Sequence, residues 1–284
     1  MAYIDHIHAC NQHDLSGFIP FTVDGARAGW VRPSFAENLV SRGDLFTMDR
    51  GTLALHTQGG DIEARSGPLA TALAELVEQG VLSHLHGEQY AATAGDRNQG
   101  LVLIDRAAAA YFGIRAFGQH LNGFVTGPDG LKLWVGRRSA DRVHYPGRLD
   151  HLVAGGLPYG IDLRENLLKE CWEEAGIAEN LARAARPVGL VTYVAETPQG
   201  LKPDTLFCYD LQLPADFRPR CTDGEVAEFN LLPVQEVMEL VRDTHEFKLN
   251  CNLVIIDFLI RHGLLGPEYP GYTELATGLH TRLP

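Results

Sequence analysis

The sequence predicts a chain that mixes helices with strands, either α/β or α+β in class, on three observations. Segments with apolar residues at helical spacing, such as Leu69, Leu73, Leu76 and Val77, alternate with short β-rich runs bounded by turn residues. Two long strand candidates, residues 115–125 and 132–138, flank the turn sequence GPDG. A third, residues 149–154, runs into a glycine-rich loop (Gly155, Gly156, Gly160) and then into an acid-rich helix that stops at Gly176.

In order, residues 1–16 carry His6, His8 and His13, a spacing that suits either a metal site or a plain helical or mobile segment. Residues 18–23 and 29–32 read as strands about a DGA turn, and Pro33-Ser34 opens a short helix over 35–41. A hairpin is expected over 45–48 and 52–55, a strong helix over 67–79 ended by Gly80, and two more strands over 89–93 and 101–104. Residues 1–105 therefore form a small α+β unit without a catalytic pattern of their own. The alanines of 107–112 favour helix up to Gly113, and the paired strands and glycine loop follow. Beyond the acid-rich helix come a short helix in AENLARAAR, strands over 188–195, 206–213 and 226–232, and a helix led by Pro233. An apolar helix over 249–260 ends at His262-Gly263, and the tail from Pro267 reads as extended.

The 284 residues suffice for one large or two ordinary domains, with 45% hydrophobic and 21% charged residues. A net charge of −12 argues against broad binding to a nucleic acid backbone. Five scattered cysteines form no CxxC pair, which suits reduced thiols. No signal-peptide pattern and no apolar run of membrane length occur, so the expectation is a soluble cytoplasmic protein without a membrane partner.

At about 100° per residue, Glu170, Glu173 and Glu174 fall within roughly a 100° arc, with Leu168, Cys171, Trp172 and Ala175 expected opposite. Carboxylates so close repel unless a hard cation lies between them; a solvated helix face is the other reading.

The register of these acids resembles the Nudix box: Gly, five residues, Glu, seven residues, Arg-Glu, an apolar residue, any residue, Glu-Glu, any residue, Gly, an apolar residue. The chain supplies Gly155, Lys169 in the arginine position, Glu170, Cys171, Glu173, Glu174, Gly176 and Ile177. Ile161 replaces the upstream glutamate, with Asp162 beside it. The resemblance implies a Nudix α/β/α sandwich with a mixed sheet over 106–284, after the small α+β domain of 1–105. It also implies magnesium, or manganese, held by Glu170, Glu174 and Glu173, with Glu170, Glu173 and Glu225 as the catalytic acids and bases. Glu225 is preferred over Asp223 and Glu228 in DGEVAEF, where a surface acidic loop is the alternative. Arg137, Arg138, Gly155, Gly156, Tyr159 and His120 are the substrate-binding candidates. The arginines equally suit solvated strand ends, and His120 with Asn122 suits either a pocket or a buried pair.

A narrower resemblance rests on LWVGRRS, YPGRLDHLVAGG, KECWEEAG, FCYDLQLP and FKLNCNLVIIDFLIRHG. These are similar to the Nudix region fused ahead of the kinase in fungal thiamine pyrophosphokinases. It implies hydrolysis of a small organic diphosphate, thiamine diphosphate or an oxidised or damaged form of it, to the monophosphate plus phosphate. A nucleoside-diphosphate-derivative pyrophosphohydrolase and a non-catalytic diphosphate-binding module, the latter through Ile161, remain the alternatives. The expected partners are that small molecule and a second copy in a homodimer, with no nucleic acid.

Overall fold

In the computed structural model, which describes residues 2–41, 43 and 45–284, Met1 of the N-terminal segment lies outside the described part. The chain begins with α1 (Tyr3–Cys10), β1 (Ile19–Val23), β2 (Ala26–Val31), α2 (Pro33–Val40), β3 (Phe46–Asp49) and β4 (Thr52–Leu55). Then come α3 (Ile62–Glu78) and the pair β5 (Gln89–Thr93) and β6 (Gly100–Asp105). Strands β1–β4 form one sheet in the order β2-β1-β4-β3, and Phe21, Leu53, Leu69, Leu73, Ile104 and Phe112 pack together in its core.

The second half runs α4 (Ala109–Phe112), β7 (Ala116–Gly127), β8 (Gly130–Arg138), β9 (Leu149–Asp150), β10 (Val153–Gly156), α5 (Leu163–Ala175) and α6 (Glu179–Ala182). It continues through β11 (Arg186–Glu196), β12 (Leu201–Gln212), β13 (Val226–Pro233), α7 (Val234–Asp243), α8 (Leu249–Arg261) and α9 (Tyr272–Gly278). A seven-stranded sheet has the path β11-β12-β7-β8-β13, with β10 added to β7 and β9 to β8. It is mixed, because β12 runs parallel to β7 while the other pairings are antiparallel. Alternation along each strand sends residues to both faces. Leu121, Trp134 and Tyr209 meet Leu167, Cys171 and Ala175 of α5 on one side. Leu133, Val135 and Cys208 meet Val237, Val254 and Phe258 of α7 and α8 on the other. This is the expected α/β/α layering.

Three local expectations change. Helix α3 begins before the predicted 67 because Asp61 caps it, its Oδ1 accepting from Ala64 N–H at 2.8 Å. The single strand expected over 149–154 is two short ones, since Asp150 pairs with β8 while Val153 pairs with β7. The tail holds α9, where an extended segment was expected; Leu275 and Leu279 dock into the main core, a tertiary gain that local composition does not carry. Helix α1 docks there too, through Tyr3, Ile7 and Cys10. Its His6 is buried against the Val241 carbonyl (2.5 Å), while His8 meets Glu274 and His13 meets backbone, so the three histidines do not gather. All five cysteines are free thiols.

Candidate active site

Helix α5 is set at both ends by local chemistry. Asp162 caps its start, Oδ1 accepting from Glu165 N–H at 2.7 Å. Gly176, at φ +62°, ends it in the left-handed region, with Ile177 N–H donating to Cys171 C=O at 2.9 Å. Asp162 is thereby occupied as a cap and does not stand in for the carboxylate missing at Ile161. The buried stripe of α5 differs from the expected one: Trp172 is 57% exposed, whereas Glu174 is 7% exposed among Asn166, Leu167 and Cys171. Glu174 faces the sheet edge, so Trp172, on the far side of the helix, faces outward.

The glutamates therefore occupy different environments. Glu174 Oε2 accepts from Ala154 N–H on β10 at 2.7 Å, and among the described residues no ion pair reaches this carboxylate. Burial pushes the Glu174 carboxyl up to about 8, against the opposing Ala154 bond. Burial also raises Glu170, which Lys169 partly offsets. Lys169 Nζ bridges Glu170 (3.3 Å) and the outward-facing Glu173 (3.1 Å). Gly155 is the floor beneath Glu170: a Cβ there would stand 2.5 Å from the carboxyl carbon. At Gly156 a Cβ would meet the Tyr90 hydroxyl and, at 3.3 Å, the Arg106 guanidinium. Both glycines thus admit protein side chains close to the backbone.

Two amides absent from the sequence reading fasten α5 to these strands. Asn166 Nδ2 donates to Gln119 Oε1 (2.8 Å) and to Gly156 C=O (2.9 Å), and Gln119 Nε2 donates to Leu163 C=O (2.6 Å).

The remaining candidates scatter. His120 is 2% exposed, with its Nδ1 3.0 Å from His151 Nδ1, and so lines no open pocket; the strand face that carries it is covered. Asn122, on the same strand, donates to Asp210 at 3.0 Å. Arg138 is drawn inward to Asp150 (2.9 Å) and is unavailable at the surface, while Arg137 stays at the rim on Glu228 (2.9 Å). Glu225 pairs with Arg142 at 2.8 Å rather than with the box glutamates. Tyr159 stands in the wall of a cleft of about 290 Å³ that includes Phe117, Ile161 and Asp162.

Beside Glu174 lies a buried polar cluster that local sequence patterns do not reveal. The ligating atoms of His120, Asp150, His151 and Cys251 lie within 4.8 Å of one another. Asp150 already holds two cations there, Arg138 at 2.9 Å and Lys248 at 3.4 Å, and accepts from the Cys251 thiol at 2.8 Å. Those cations disfavour a further positive ion at this carboxylate.

Comparison with known proteins settles the family. Residues 119–251 match the NUDIX domain model, and residues 2–116 match one described as a domain of unknown function (DUF4743). Nudix hydrolase 24, chloroplastic, of Arabidopsis thaliana is 43% identical over 278 residues, covering 96% of this chain and 76% of that protein. Nudix hydrolase 20, chloroplastic, of the same plant is 41% identical, covering 99% of this chain and 78% of that protein.

The chain belongs to the Nudix hydrolase family.

Among solved structures, the NUDIX domain of Shewanella oneidensis NrtR complexed with ADP ribose is 15% identical, covering 57% of this chain and 94% of that one at a TM-score of 0.43. Nudix enzymes generally use divalent metals, and the donor set here fits one. A buried Nudix-box carboxylate with, among the described residues, a single hydrogen bond and no ion-pair partner is costly unless a cation joins it, and oxygen donors suit a hard one. Gly155→Ala in this Nudix hydrolase is expected to displace Glu170 and lower kcat at least about tenfold, at a stability cost of about 1–3 kcal/mol. Steady-state kinetics with a melting curve checks both.

Proposed function

We propose that this Nudix hydrolase cleaves the diphosphate of a small organic diphosphate, thiamine diphosphate or an oxidised form of it, to the monophosphate and phosphate. The observation that carries the reading is the pairing of Glu174, buried without an ion-pair partner among the described residues, with Glu170 seated on Gly155. Magnesium, with manganese as a substitute, would be held by Glu170, Glu174 and Glu173. Such an ion supplies charge neutralisation at the phosphate oxygens and lowers the pKa of the attacking water.

The protein does the rest. Glu170, raised by burial, takes the proton of the water as its oxygen bonds to the terminal phosphorus. The bond from that phosphorus to the bridging oxygen breaks, and the bridging oxygen leaves with the monophosphate. Lys169 steers Glu170 and Glu173 through its two contacts. Glu225, within electrostatic reach of Glu174, adds negative charge at the rim. The likeness of YPGRLDHLVAGG and FKLNCNLVIIDFLIRHG to the Nudix region of fungal thiamine pyrophosphokinases supports the substrate class.

A panel of organic diphosphates, assayed with magnesium and then with excess chelator, tests this. Orthophosphate and monophosphate that vanish with chelator are expected. A nucleoside monophosphate as the main product would favour the nucleoside-diphosphate reading. Binding without any product, with manganese as well, would favour a non-catalytic module.

A further inference from the structure

The N-terminal unit does not merely precede the Nudix sheet; it closes against the glycine loop. Tyr159 N–H donates to Gln89 C=O on β5 at 2.7 Å, and Arg97 Nη2 donates to the carbonyl of Ile161 at 2.7 Å. Both anchors come from the part of the chain that has no catalytic motif. The second holds the residue whose side chain departs from the box pattern, so a guanidinium–carbonyl bond supports the loop at that position.

Between these anchors opens the cleft of about 290 Å³, with Tyr90, Arg97 and Asn98 from the N-terminal unit and Phe117, Tyr159 and Asp162 from the Nudix half. Phe117 is stacked on Phe207 (ring centroids 6.3 Å apart, 12° between planes), which makes that wall stiff. Tyr159 is 39% exposed, an aromatic ring kept accessible in the mouth of a polar-edged cleft. Tyr90, in the wall of the cleft, links it to the strand beneath Glu170. Tyr90 reaches Gly156, where Arg106 also stands, one residue along β10 from the Gly155 floor of Glu170. Arg106 is held there by Glu88 at 2.8 Å.

We propose that this inter-unit cleft is the subsite for the organic group carried by the diphosphate, and that it takes a compact heteroaromatic group. The N-terminal unit thereby sets substrate specificity. The proposal rests on the hydrolase reading of the glutamate site and deepens it. The volume lies at the small end of ligand pockets, which suits one or two small rings. Aromatic rings offer a stacking face, while Asn98 and the Oδ2 of Asp162, whose Oδ1 caps α5, offer hydrogen-bonding edges that a ring with nitrogen atoms or amino groups uses. Because the loop is already tied to β5, the cleft is built before the ligand arrives and loses little entropy on binding.

The test uses the full-length protein with thiamine diphosphate as the ring-bearing probe and methyl diphosphate as the ringless one. Tyr159→Ala and Asn98→Ala are expected to raise KM for thiamine diphosphate about tenfold or more, with kcat/KM for methyl diphosphate changed less than twofold. Tyr159→Phe, which keeps the ring, is expected to restore the wild-type KM. Equal losses on both probes, no loss on either, or no wild-type preference for the ring-bearing probe would overturn the subsite while leaving the hydrolase reading standing. If neither probe is hydrolysed with magnesium or manganese, the reading of thiamine diphosphate as substrate falls, and calorimetry with calcium still decides the cleft. Thiamine diphosphate binding at least tenfold weaker in Tyr159→Ala supports it; unchanged binding, or none to the wild type, overturns it.

Discussion

Glu174→Gln is expected to abolish metal-dependent phosphate release and, without metal, to make the protein more stable at alkaline pH. The sign follows from burial. An ordinary glutamate ionises near 4.5, whereas folding raises Glu174 to about 8. Between those values the folded state keeps a proton that the unfolded state has released, so stability falls as pH rises, with the full penalty reached above about 8. Glutamine has no charge to bury and keeps most of the shape. The gain in the variant should be on the order of a few kcal/mol at pH 9 and close to nothing at pH 4. Urea unfolding in chelator at the two pH values measures it. Magnesium should then stabilise the wild type by mass action and the variant less at the same concentration. Loss of an outer-shell partner of a metal costs about 10–100-fold in activity, and loss of a ligand costs more. A variant that turns over normally, or is equally destabilised at both pH values, contradicts this account.

Asp150→Asn is expected to be among the most destabilising polar substitutions in the chain. Burial alone would raise this carboxyl, but Lys248 foremost holds it well below the ordinary aspartate value of 3.8. Arg138 at 2.9 Å and Lys248 at 3.4 Å both depend on it for counter-charge. Removing one partner from such a group leaves the others buried and uncompensated, at about 3–5 kcal/mol. A depressed carboxyl contributes stability above its unfolded value, and that contribution fades as acid protonates it. The gap between wild type and variant should therefore be complete at neutral pH and narrow below 3.8. Denaturation midpoints at pH 7 and pH 3 report the gap; a change under about 1 kcal/mol at neutral pH contradicts the network.

What was legible in the sequence was local. The spacing from Gly155 to Ile177, the left-handed stop at Gly176 and the paired strands about GPDG each depend on neighbours within a few residues, and the structure has all three. Trp172 was misplaced for a physical reason. Hydrophobicity orients a helix by its apolar residues, yet here Glu174 faces the sheet and an indole faces solvent. Arg138, Asp150 and Lys248 meet across 12 and 98 residues of chain, and no periodicity records such a meeting. His120 followed the alternative reading, a buried pair, although its partner is His151 instead of Asn122. The contributions of Tyr90, Arg97 and Arg106 were invisible because they sit outside any motif and matter only through where the N-terminal unit docks.

Manganese binding, followed by electron paramagnetic resonance on the wild type, Glu174→Gln and Cys251→Ala, bears most directly on the assignment of the metal to the Nudix-box glutamates. The expected result is a site weakened at least tenfold in Glu174→Gln and unchanged in Cys251→Ala. Binding intact in Glu174→Gln but lost in Cys251→Ala would place the ion in the buried His120–Asp150–His151–Cys251 cluster and contradict the assignment.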